Sequence, residues 1–223
     1  MAIEGDWRGA RCFIVGGGPS LKGFDFSLLA NRPHVIAINM AYRDLPNAEI
    51  FFTEDLRVIE LAHRRADWLA FKGRKIFHAL APEYARDALT MDATLEIVNR
   101  TSTSKMWSQR FQDGLSYSSN SMIGALNIAD IMGSDPIYIL GLDCQSSGGR
   151  ESNYHDEYER ARFERTGDHQ YQSFRSDFEN WAAIHLRHKI VVNLNRDSAV
   201  ECWTKVKGTY AEELANLRDA VMW

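Results

Sequence analysis

Cys12-Phe-Ile-Val15 is a four-residue apolar run that ends abruptly on Gly16-Gly17-Gly18-Pro19-Ser20. Four residues suit a strand buried on both faces and are too few for a helix, and the glycines open a loop where backbone N–H groups can approach a ligand closely. The pattern recurs along the chain. His34-Val-Ile-Ala-Ile-Asn39, Ala48-Glu-Ile-Phe-Phe-Thr-Glu-Asp55 and Pro136-Ile-Tyr-Ile-Leu-Gly-Leu-Asp143 each run apolar and then turn polar at the carboxyl end. Lys75–Leu80, Leu95–Val98 and Ile190–Leu194 are further strand candidates.

Helical spacing separates these runs. Ile59, Ala62, Ala66 and Leu69 predict an amphipathic helix between residues 56 and 70. Met122, Ala125, Ile128, Ala129 and Met132 predict another over Ser121–Met132, with Gly133 as its stop. Phe174, Phe178, Trp181, Ala182 and His185 mark a third, and Thr209 with Glu212 forms a capping box that opens the last. Strands alternating with helices predict an α/β fold: a single Rossmann-like, doubly wound, mainly parallel sheet covered on both faces.

With 223 residues and 45% apolar content, one domain spanning 1–223 is expected. Residues 144–172 are too long for an ordinary connection and rich in Ser, Gly, Glu, Arg, His and Tyr, so they read as a lid insertion within it. The stretch from Thr101 to Ser119 is polar and irregular.

The net charge of −4 does not indicate nucleic-acid binding, although residues 1–112 carry 15 Lys/Arg against 13 Asp/Glu and are the more hospitable half for a small anion. Cys12, Cys144 and Cys202 form neither a disulfide framework nor a metal knuckle, and no apolar stretch reaches a membrane span, so a cytoplasmic protein is expected.

In a doubly wound sheet, ligands bind beyond the carboxyl ends of the strands. The candidates there are Gly16, Gly17, Gly18, Pro19 and Ser20, then Asn39, then Thr53 and Asp55, then Gly141 and Asp143. The loop is neither G-x-G-x-x-G nor a P-loop, which disfavours an ordinary NAD site. Ser118-Ser119-Asn120-Ser121 adds small polar groups where a helix begins, a natural anion site. Tyr154-His155 and His169 fall in the insertion and supply groups for proton transfer.

Gly17-Gly18-Pro19-Ser20-Leu21, running on to Asp25, Ser27 and Leu29, resembles the G-P-S-L opening of the bacterial CMP-sialic-acid-dependent sialyltransferases. Asn39, Ser118–Ser121 and Gly141-Leu142-Asp143 follow that family in order. The same opening, the Gly-Leu-Asp segment and Asn193…Ser198-Ala199 also look like the 6-hydroxymethylpterin diphosphokinase-like family, which has many phage relatives.

The first resemblance implies an inverting glycosyltransferase. The glycine loop and Asn39 would hold the nucleotide of a nucleotide-sugar, Ser119 and Asn120 its phosphate, Tyr154 the leaving phosphate, and His169 would be general base on a hydroxyl of a glycan or other acceptor. Nothing is expected to be tightly bound as cofactor. The second resemblance implies a phosphotransferase in which Asp55 and Asp143 hold Mg2+ on ATP. A third reading keeps the nucleotide site without chemistry. A homo-oligomer is expected, since one small domain leaves little surface for a large acceptor.

Overall fold

The computed structural model describes residues 4–103, 106–118, 120–145, 153–155 and 168–217. Among these, β1 (Cys12–Val15), β2 (Val35–Ile38), β3 (Ile50–Thr53), β4 (Arg74–Ala79), β5 (Glu96–Asn99), β6 (Ile137–Leu140), β7 (Val191–Asn193) and β8 (Thr204–Lys205) form one sheet. Its order is β5-β4-β3-β2-β1-β6-β7-β8. Every pairing is parallel, so "mainly parallel" becomes wholly parallel.

The short strands are apolar throughout because both faces are covered. Along β1, Cys12 and Ile14 enter one core cluster, while Phe13 and Val15 enter the other. Side chains alternate faces with a period of two, so a strand between two layers of helix must be apolar at every position.

On the first face lie α4 (Ser121–Met132) and α5 (Asp168–Asp177), which continues through a π turn at Phe178–Ala182 into Ala183–His185. The other face carries α1 (Leu56–Ala62), α2 (Ala66–Ala70), α3 (Pro82–Met91) and the last helix, α6 (Tyr210–Asn216).

α4 is buried nearly all round and ends on Gly133 in the left-handed region, φ 86°. The polar stretch before it is fastened to it. Asn127 accepts from Ser116 N at 2.9 Å and donates to Ser108 O at 2.8 Å, and Trp107 Nε1 donates to Asp130 at 2.8 Å.

The helix expected over 56–70 is two. The chain extends at Arg65 (φ −80°, ψ 144°), and Asp67 in the new first turn accepts from Trp68 N, Arg65, Arg43 and Tyr42. Four partners for one carboxylate favour the break over a continuous helix.

Of the insertion at 144–172, residues 146–152 and 156–167 lie outside the described residues, and its end, from Asp168, is already helix.

Candidate functional site

The chain leaves β1 outward through β2 to β5 and then returns to the opposite side of β1 as β6. That reversal leaves a crevice at the carboxyl ends of β1 and β6, which in such sheets is where ligands bind. A cleft lies there, with about 620 Å3 of empty space counting the part open to solvent. Its floor is Gly16, Gly17, Gly18 and Pro19 from β1 and Gly141, Leu142 and Asp143 from β6. Asn39 closes one side, Asn120 and Ser121 the mouth of α4, and Tyr171, Phe174 and Phe178 of the α5 helix make an aromatic wall.

The two glycine segments fit against each other. Gly16 N donates to Leu140 O at 2.9 Å and Gly18 N to Gly141 O at 3.1 Å. A Cβ on Gly18 would fall on Asp143 Oδ2 and 2.5 Å from Gly141 O. Glycine here is therefore a packing requirement; its φ of −62° is open to any residue.

Asp143 is 9% exposed and held from the loop: Ser20 N donates to Oδ1 at 3.1 Å and Ser20 Oγ to Oδ2 at 2.8 Å. Burial raises its pKa above the ordinary aspartate value; the Ser20 hydrogen bonds pull the other way and the nearby Asp197 adds to the rise. The Asn193…Ser198-Ala199 segment buttresses the same strand end. Asn193 Nδ2 donates to Leu142 O at 3.4 Å and Ala199 N to Asp143 O at 2.9 Å. Burial, then Asp143, pushes the Cys144 thiol up to about 12, which disfavours this cleft residue as a nucleophile.

Asn39 turns the chain at φ 55°, which asparagine tolerates better than most residues. Its Oδ1 accepts from Thr53 Oγ1 at 2.7 Å, and that hydroxyl accepts from Asp55 N at 3.0 Å. With the oxygen occupied, the amide protons of Asn39 are what it has to offer a ligand. Thr53 is fully buried and serves the cleft through Asn39.

Asn120 occupies the N-cap of α4 but makes no side-chain cap bond. Both Oδ1 and Nδ2 are buried without a hydrogen-bond partner among the described residues. An unpaired buried polar group costs about 1–3 kcal/mol. Ser118 Oγ accepts from Asn120 N at 3.4 Å and is not part of the lining, while Ser119 lies outside the described residues.

Other expected site residues are placed elsewhere. Asp55 caps α1, accepting from Arg57 N at 3.1 Å and Arg57 Nε at 3.3 Å. It follows β3 while Asp143 follows β6, three strand spacings or ~14 Å apart across the sheet. The two carboxylates thus do not meet on one ion, and no group of three or more metal-ligating side chains occurs among the described residues.

Tyr154 N donates to Gly17 O at 3.0 Å and its hydroxyl to Asp44 at 2.9 Å, so Tyr154 pins a strap over the glycine loop with its OH directed at Asp44. The strap brings Asn153 into the lining and sets His155 Nε2 3.8 Å from where a Cβ on Gly17 would sit. His169 is exposed on α5 and outside the lining. At 100° per residue, Tyr171, which does line the cleft, points the opposite way.

The aromatic wall and Tyr210 were not among the expected site residues. Tyr210 reaches the loop from α6: its OH lies 2.8 Å from Ser20 Oγ and accepts from Gly141 N at 3.1 Å. The sequence signals the helix through its capping box, but where α6 docks depends on partners far away in the chain: Arg11, Ser20, Arg32 and Gly141.

No family model matches the chain, and no curated protein matches it. Among solved structures it is similar to the MAf glycosyltransferase from Magnetospirillum magneticum AMB-1, with a TM-score of 0.55 and 14% identity over 98% of this chain and 38% of that one. The chain thus spans little more than a third of that protein's length, and the likeness is one of fold: an α/β, Rossmann-like sheet flanked by helices.

Proposed function

We propose that the switch-point cleft binds a nucleotide-sugar and that the chain is a glycosyltransferase. The observation that carries this reading is Asn120: an amide with both polar atoms buried and unpartnered among the described residues, at the N-terminus of a 12-residue helix and in the lining of the cleft. A phosphate there would accept from Asn120 Nδ2 and the N–H groups of Ser121 and Met122 at the start of α4, helped by the helix dipole. The aromatic wall offers a face for the base and the Asn39 amide protons a donor pair for it. The fold likeness to a protein named as a glycosyltransferase supports the class. It carries no donor or acceptor across at 14% identity.

In the reaction an acceptor hydroxyl oxygen bonds to the anomeric carbon, the carbon–phosphate oxygen bond breaks, and the hydroxyl proton passes to a base. The configuration inverts in a single displacement. We assign the base to His155, the imidazole that the strap carries to the glycine loop, in preference to the exposed His169.

Thermal shift against CMP, UDP, GDP and ATP, each with and without Mg2+, tests the reading. A nucleotide at 100 times its Kd stabilises by about 2.7 kcal/mol, roughly 5–10 °C for a chain of this size, and Asn120→Ala should remove most of the shift. A response to Mg–ATP alone would favour the diphosphokinase-like reading. No response to any nucleotide would refute the assignment of the cleft. In turnover assays His155→Ala should cost on the order of 10²–10⁴-fold and His169→Ala little; the reverse would restore His169.

A further inference from the structure

We propose that Tyr210 is a positioning residue of the cleft: from the last helix it fixes the glycine loop and the carboxylate of Asp143 in their ligand-binding arrangement through Ser20. This rests on the reading of the cleft as a nucleotide site.

The geometry fixes the direction of each hydrogen bond. Gly141 N donates to Tyr210 OH at 3.1 Å, so that oxygen is an acceptor there. Ser20 Oγ donates to Asp143 Oδ2 at 2.8 Å, so its own proton is spent. The 2.8 Å contact between the two hydroxyls is then Tyr210 donating to Ser20. One hydroxyl therefore ties together the backbone of Gly141 after β6, the Ser20 end of the loop after β1, and through it Asp143. Phe24, after the glycine loop, meets the Tyr210 ring edge-on at 5.5 Å.

That hydroxyl is delivered from a fixed base. Thr209 Oγ1 accepts from Glu212 N at 3.3 Å, and Glu212 Oε2 accepts from Thr209 N at 2.7 Å. At the far end Arg32 donates to Leu214 O at 2.5 Å and Arg11 to Leu217 O at 2.6 Å, so both ends of α6 are tied. Arg11 and Arg32 flank β1 and β2, so the last helix is clamped to the strands whose loops form the site. A core tyrosine needs one partner for its hydroxyl; this one has two, Gly141 in the cleft floor and Ser20 bonded to Asp143 of that floor.

The groups that face Asp143 are Ser20 from the loop, Asn195 and Asp197 from the segment after β7, and Cys144 beside it, with Tyr210 behind Ser20. Burial raises the Asp143 pKa and Ser20 lowers it. Without the Tyr210 proton, Ser20 Oγ is a weaker donor, and Asp143 should titrate higher still.

The test is a cycle of Tyr210→Phe, Ser20→Ala and the double variant in the full chain, with two readouts. The first is the affinity for whichever of CMP, UDP, GDP or ATP stabilises the wild type. Each single variant should weaken it about ten-fold, and Tyr210→Phe should cost less than about three-fold once Ser20 is alanine, because the two act as one unit. The second needs no nucleotide: the pH dependence of stability in urea should show the Asp143 titration moved upward in Tyr210→Phe and in Ser20→Ala. Multiplying effects in the cycle, an unchanged affinity in Tyr210→Phe, or an Asp143 titration unmoved in both variants would overturn the proposal. A wild type that binds none of the nucleotides would instead sink the reading of the cleft, with the titration still deciding on Tyr210. Ser20→Ala breaks the same chain of hydrogen bonds from the loop side, so a Tyr210→Phe chain that failed to fold would leave the test standing.

Discussion

Alanine at Gly18 isolates the packing of the glycine loop from its backbone freedom. Gly18 sits at φ −62°, ψ 149°, a conformation alanine adopts freely, so the lost entropy of the unfolded chain should favour the variant by about 0.4–1 kcal/mol. The added Cβ, however, would fall on Asp143 Oδ2 and 2.5 Å from Gly141 O. One is a carboxylate held by two bonds from Ser20, the other a carbonyl already paired with Gly18 N, so neither can step aside alone. Overpacking costs about 1–3 kcal/mol, and rigid neighbours put this site at the upper end. The net loss is then about 2 kcal/mol, a fall of roughly 4–8 °C in Tm for a domain of this size. Gly17→Ala is the control: its Cβ would meet Asn153 Oδ1 at 3.0 Å, the end of a side chain and not backbone, and the cost should stay within about 0.5 kcal/mol. Urea melts at a common m-value give both numbers as shifts in midpoint. A Gly18→Ala midpoint equal to the wild type, or a Gly17→Ala loss as large, would show that the two strand-end loops are not packed as described.

Asn120→Asp keeps the volume but sets a negative charge where an anion is proposed to sit; nucleotide affinity by calorimetry should fall at least as far as in Asn120→Ala, and equal or tighter binding would refute the phosphate site. Asp143 has a folded pKa above its unfolded value of 3.8, so the native state holds its proton longer. Stability from this group is fully present below pH 3.8 and is lost as pH rises through the folded pKa; in Asp143→Asn that part of the slope should vanish from urea melts. Thr209→Ala removes the capping box of α6 and should cost about 1 kcal/mol in urea, with nucleotide affinity also falling because α6 carries Tyr210.

The fold was legible wherever local pattern and tertiary role agreed. β1 and α4 were readable to the residue, because a strand between two helical layers is apolar at every position and a central helix is apolar almost all round. The two-residue strand β8 was not, since Thr204-Lys205 is too short to show a period and exists only by pairing with β7. The 101–119 stretch looked structureless for a related reason. Its Trp107, Ser108 and Ser116 are bonded to Asn127 and Asp130 of α4, contacts between segments that periodicity within either one does not reveal.

The site divides along the same line. Gly16, Gly17, Gly18, Asn39, Asn120, Gly141 and Asp143 were expected from their places at strand and helix ends, and all line the cleft, because a parallel sheet brings every carboxyl end to one edge whatever the strand order. Which ends meet is set by the order. The placement of β6 beside β1 joins Asp143 to Ser20 and leaves Asp55 far off capping α1, and neither strand's own residues encode that choice. His169 shows the finer limit: an imidazole in the right stretch of chain is placed by the phase of its helix, which the aromatic positions Tyr171, Phe174 and Phe178 set by burying themselves against the cleft. With that stripe facing inward, His169 faces out, and any proton it accepts comes from solvent unless the helix turns. An activity that survives His169→Ala and fails in Phe174→Glu would therefore locate the working face of α5 on its aromatic side.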